Sequence, residues 1–228
     1  MAYFTTEFID YLANLSRNNT REWFHANKKT HEQHVKEPFS EFVGEMIHRV
    51  SAVDPTVAIE PKDAIFRIAR DIRFAKDKTP YKTWAAAVIS RGGRRDNKHP
   101  AFYFMFDHQG VTIGGGMYKP DKDDIYKIRQ AIQENGQQFA RLLKGKKFVE
   151  VFGELQGERN KRLPKEFAID AEQYAVIANK QFYYYAEYDD QELLLRDDLA
   201  QFLMHHYRTG ARVNQFLQEA VNPKAPQS

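Results

Sequence analysis

The sequence contains no cysteine, which removes disulfides, thiolate nucleophiles and cysteine-ligated zinc or iron–sulfur centres from consideration. A chain without disulfides suits a reducing compartment, and a cytoplasmic protein is expected. No run approaches the ~18–20 apolar residues of a membrane span. The first residues, MAYFTTEFIDYL, have neither a basic start nor a continuous apolar core, so no secretory leader and no membrane partner are expected. Serine is scarce: none of the five stands in a GxSxG elbow, and no Walker loop occurs. His31-Glu32-Gln33-His34 places its histidines at i and i+3, not at the i and i+4 of a zinc-protease helix. His205 and His206 are adjacent and would point about 100° apart on a helix. No metal site is expected, and nothing selects a cofactor or an oligomeric state.

What is present is a globular composition, with 42% apolar and 14% aromatic residues in 228, enough for a well-filled core. The net charge of +3 is unevenly placed. Between Ile65 and Pro100 stand ten Lys/Arg and three Asp, a net +7 that leaves the remainder at −4. A basic segment in an acidic body attracts anions locally without making the whole surface adhesive.

The centre of that segment is Ile65 to Trp84, IFRIARDIRFAKDKTPYKTW, with six cationic side chains in twenty residues. Phe66, Ile68, Ile72 and Phe74 alternate with Arg67, Asp71 and Arg73, the period of a strand with one buried face. Arg70 falls on the apolar face. Either a bulge re-aims it or a carboxylate pairs with it, and Glu22, Asp63, Asp71 and Asp77 are the candidates. Arg67 and Arg73 offer forked donors suited to carboxylate or phosphate. Pro80 sets a turn flanked by Lys78 and Lys82, with the Tyr81 ring as a lid or a core anchor. The competing reading is a solvated hairpin end kept charged against edge pairing.

RIARDIRFAKDKTPYKT resembles the hallmark segment of the bacterial family catalogued as domain of unknown function 2461. NNTREWFHANK (Asn18 to Lys28) and GGGMYKP (Gly114 to Pro120) resemble it too. A weaker echo is RLPKEF (Arg162 to Phe167), where Glu166 replaces an expected glycine. The similarity extends to about Phe182. It implies one domain and the segments that build its site, and it carries no chemistry.

Apolar spacing predicts a helix from Phe4 to Leu15 capped by Thr5 or Thr6, a second after Asn19 or Thr20, and a third opened by Pro38 and ended by Asp54-Pro55. Strands follow at Ile65, Thr83–Ser90, Ala101–Phe106, Val111–Tyr118 and Phe182–Tyr188. A helix from Asp121 should stop at Gly136, and a last helical region should be interrupted at Thr209-Gly210. Arg91 to Lys98 reads as a mobile basic loop because of its glycines. The expected class is α+β, an antiparallel-rich sheet of about five strands flanked by N-terminal and C-terminal helices. A single domain is expected over residues 1–222, with a frayed tail at 223–228.

Three functions fit. The first is a pocket for a small phosphorylated or carboxylated ligand, with or without catalysis. Arg67, Arg70 and Arg73 would hold the anion, Lys78, Tyr81 and Lys82 would close over it, and Asp71 would orient an arginine or act as a base. Arg21 and Trp23 of the second helix, and Gly115 through a close backbone approach, are further contacts. The second is a nucleic-acid module using the basic strand and the Arg91–Lys98 loop. The third is a scaffold in which the charges tie helices to sheet. The near-neutral total charge ranks the small anion first.

Overall fold

A computed structural model describes residues 2–222; the tail expected to fray lies outside the described residues. Helices come first: α1 (Thr6–Arg17), α2 (Arg21–Ala26), α3 (Lys28–His31), a π turn (Glu32–Lys36), α4 (Glu37–Ser51) and α5 (Pro61–Ala64). Strands β1 (Ala85–Ile89), β2 (Ala101–Phe106) and β3 (Val111–Met117) precede helices α6 (Lys122–Leu143), α7 (Lys146–Phe152), α8 (Lys165–Ala168) and α9 (Asp170–Gln173). Strand β4 (Phe182–Tyr188) and helix α10 (Leu199–Val221) complete the described chain. The strands form one antiparallel sheet in the order β1-β2-β3-β4, and the class is α+β as expected. No helix among the described residues is long and apolar enough to cross a membrane.

The chain groups into two compact units. One runs from the N-terminus to Arg94 and adds Tyr103–Ile113 and Glu187–Met204; the other holds Arg95–Phe102, Gly114–Ala186 and the chain from His205. In the first unit, α1 buries Phe8, Tyr11, Leu12 and Leu15 at helical spacing, and α4 buries Phe39, Phe42, Val43 and Met46. Phe4, Phe39 and Phe42 meet Phe104 and Phe106 of β2 in edge-on and tilted contacts, with ring centroids 5.4 Å apart for Phe4–Phe106 and 5.7 Å for Phe42–Phe104. Each such ring contributes ~1.5–3 kcal/mol by burial, against ~0–1 kcal/mol for an exposed ion pair, so the rings carry this unit.

The break expected before Pro38 does not occur. Proline has no N–H and its ring collides with the carbonyl four residues earlier. The π turn just ahead widens the helix, the Glu37 N–H donates to the Glu32 carbonyl, and the helical path continues into α4.

In the second unit Ile128, Ile132, Phe139, Phe182, Phe216 and Leu217 are part of one core, with Phe139 stacked on Phe216 at 4.3 Å. Helix α6 passes the expected stop at Gly136 through a kink at Asn135, and α10 passes Gly210 without interruption. The reason at Gly210 is tertiary. The buried Tyr184 phenol donates to Asn214 Oδ1 at 2.9 Å, and a Cβ on Gly210 would stand 2.0 Å from the same hydroxyl.

The expected fifth strand is absent. From Ile65 to Tyr81 the only ladder elements are isolated bridges, Ile65 to Ala87 and Ala69 to Tyr81. The period of two survives in burial as far as Ile72 and then fails, because Phe74 is 94% exposed. Between the bridges and Pro80 the chain swings out as a loop instead of continuing a sheet edge.

Candidate functional site

The loop Asp71–Thr79 closes on itself. At its base the Arg70 N–H donates to the Pro80 carbonyl and the Lys82 N–H to the Ile68 carbonyl, both at 2.9 Å. The Arg70 guanidinium, 27% exposed, donates to Asp77 Oδ2 at 2.5 Å and to the Thr79 carbonyl at 3.1 Å, and it also reaches the Thr79 hydroxyl. Asp77 is thus the carboxylate that a largely buried guanidinium requires. Glu22, another candidate, stays exposed at the start of α2. Further out, Arg73 forks onto Asp71 through Nε at 3.0 Å and Nη2 at 2.7 Å, and the Lys78 ammonium caps the Ile72 carbonyl at 3.0 Å.

These bonds set the acidity of both carboxylates. The Arg73 guanidinium, then the Arg73 N–H, hold Asp71 down to about 2; the Thr79 N–H, then Arg70, do the same for Asp77. Asp71 orients Arg73 through the two bonds of that fork, and the same bonds lower its basicity.

The loop is anchored from α2's entry. Thr20 is the N-cap of α2, its hydroxyl accepting from the Trp23 N–H at 3.2 Å, which frees Asn19 for another task. Asn19 Nδ2 donates to the Tyr81 carbonyl at 2.9 Å and Asn19 Oδ1 accepts from the Tyr81 N–H at 3.1 Å. One side-chain amide thus pairs with Tyr81 as a neighbouring strand would. The Tyr81 ring stacks on Phe24 at 4.0 Å, so it is a core anchor and not a lid. Trp23 packs on Tyr11 at 5.5 Å and is part of the same support, while Arg21 is exposed at the first position of α2.

A second group of cations is not consumed in this way. Lys82 lies with its ammonium 4.8 Å from the Trp84 ring centroid and 5.1 Å from that of Phe66, and donates to the Arg67 carbonyl at 2.8 Å. Burial lowers its pKa, and the neighbouring charges of Arg67 and Arg94 lower it further. Arg94 is placed by a bond from its guanidinium to the Lys62 carbonyl. The turn that carries it depends on Gly93, whose φ of 70° is open to glycine at little cost and whose missing Cβ lets the Asp63 carbonyl approach. Among the described residues no carboxylate bonds to Lys82, Arg67 or Arg94. The basic loop containing Arg94 was legible in the sequence; its electrostatic reach to Lys82 was not, because Arg94 is placed through Lys62 and Gly93.

Gly115 belongs to the second unit. A Cβ there would lie 2.5 Å from the Tyr184 hydroxyl, so the space over this glycine is filled by a phenol instead of being open to a ligand. A hollow of about 160 Å³ in the first unit, lined by Met105, Asp107, Gln109, Thr112, Glu187 and Asp189 among others, is acidic and suits no anion.

No curated protein and no solved structure matches the chain. A family model described as conserved hypothetical protein (DUF2461) matches residues 7–216. That span takes in Asn19, Arg67, Tyr81, Lys82 and Arg94 together, and the chain belongs to the DUF2461 family.

Proposed function

We propose that the first unit binds a phosphate-class anion through Arg67, Lys82 and Arg94. The observation that carries this reading is Lys82: a half-buried ammonium whose pKa is lowered by burial and by two neighbouring cations. Three like charges held together are mutually destabilising, and an anion that bonds to all three removes the repulsion. The rings of Phe66 and Trp84 hold the ammonium in place beforehand. Arg70 and Arg73 are the frame of the site and not its donors, since the carboxylates of Asp77 and Asp71 already neutralise them; Lys78 braces the same loop through the Ile72 carbonyl.

Calorimetric titration with inorganic phosphate tests the assignment. Arg67→Gln, Lys82→Gln and Arg94→Gln should each weaken binding about tenfold or more, as loss of a charge-assisted hydrogen bond does. Arg73→Gln should leave affinity nearly unchanged. Equal losses for Arg73→Gln and Arg67→Gln would return the site to the forked arginines, and no binding at all would leave the scaffold. Because the protonated Lys82 is the binding form, affinity should fall as pH rises through its lowered pKa, short of the ordinary 10.5.

A further inference from the structure

Phe74 is 94% exposed, the most exposed large apolar side chain among those described. It stands on a loop whose every turn is braced: Arg70 to Asp77 and Thr79, Arg73 to Asp71, Lys78 to the Ile72 and Arg73 carbonyls, and the Thr79 N–H to Asp77 Oδ1 at 2.9 Å. Holding an apolar ring out in water on a fixed support gains nothing for folding. The ring is continuous with the cationic group. Arg67 acts electrostatically on both Lys82 and Asp71, Asp71 bonds to Arg73, and the Arg73 guanidinium carbon is 5.9 Å from the Phe74 ring centroid. Electrostatic interactions thus link three cations that have no carboxylate partner to one presented aromatic face.

We infer that this surface binds single-stranded nucleic acid, with a base stacked on Phe74 and backbone phosphates on Arg67, Lys82 and Arg94. The inference rests on the anion-binding reading and names its partner class. Aromatic stacking with a basic track is the common mode of sequence-tolerant single-strand binding. A folded protein partner fits less well, because one ring offers ~150–250 Å² against the ~800 Å² per side of a stable interface. An anionic bilayer fits less well too: inserting the ring would press headgroup phosphates against the ionised Asp71 and Asp77, which stand within three residues of it, whereas a stacked base is uncharged.

The test uses the full chain and fluorescence anisotropy with a short thymidine oligonucleotide, an abasic strand of the same length and anionic phospholipid vesicles. Phe74→Ala, at a site with no packing to lose, should weaken oligonucleotide binding about tenfold, leave the abasic strand unchanged and leave the thermal midpoint unchanged. Phe74→Trp should restore or exceed the original affinity. Equal affinity of the native chain and Phe74→Ala for the oligonucleotide overturns the inference. Vesicle binding that needs Phe74, without an effect on the oligonucleotide, overturns it in favour of a membrane surface. If Arg67→Gln leaves inorganic phosphate binding intact, the underlying site is wrong, and the stacking role is then decided by Phe74→Ala alone.

Discussion

Asn19 does with one amide what a strand neighbour does with its backbone, donating to the Tyr81 carbonyl and accepting from the Tyr81 N–H. Asn19→Ala should therefore cost about 1–3 kcal/mol by leaving both partly buried backbone groups unpartnered. Asn19→Asp, which keeps an acceptor and loses the donor, should fall between alanine and the native chain. Chemical denaturation measures the size, and amide exchange at Tyr81 shows whether the loss is local. Arg70 is the residue most legible in the sequence, since a guanidinium on an apolar face demands a carboxylate wherever it lies, and Asp77 supplies it. Arg73 and Lys78, expected to face an anion, bond to Asp71 and to the Ile72 carbonyl. Whether a long side chain turns outward or onto its own loop depends on backbone angles that alternation of residue types does not encode.

At the scale of elements, the Asp71–Thr79 loop is held by carboxylates whose acidity is raised by folding. Both titrate near 2 in place of the ordinary 3.8, so the stability they lend is complete above about 3.8 and is lost as pH falls through about 2. The loop should come apart in that window. Nuclear magnetic resonance of the Arg73 Nε–H and the Thr79 N–H would report it, and Arg73→Gln should raise Asp71 toward the ordinary range, the backbone N–H of residue 73 still holding it partly down, while leaving Asp77 low. The strand expected from Ile65 to Phe74 failed for a related reason. Apolar alternation specifies which side chains are covered, and Phe66, Ile68 and Ile72 are partly covered, but it does not supply a hydrogen-bonding partner. Helix α10 shows the opposite error. Thr209-Gly210 reads as a break by local propensity, whereas the glycine makes room for Tyr184 across 26 residues of sequence.

For the whole molecule, helices before and after a run of strands were enough to assign the α+β class. The two units were not legible, because each is assembled from three separate stretches of chain and so leaves no linker or shift of composition between them. The charge distribution gives the prediction at this scale. With three cations that have no carboxylate partner, single-strand binding should weaken with salt at a slope of about −2 in log–log form, from ~0.7 per phosphate contact. A slope near −4 would mean that the braced cations of the loop also let go of their partners and bind. Counterion titration of the full chain separates the two. The Asn19 clamp also has a consequence in time: its two halves lie 62 residues apart. During synthesis Asn19 is made 62 residues before Tyr81, and loop closure over that distance carries an entropic cost on the order of 4 kcal/mol. The basic segment can acquire its shape only after both ends have emerged. A chain trimmed past Asn19 would keep every charge of the site and lose the fastening that arranges them.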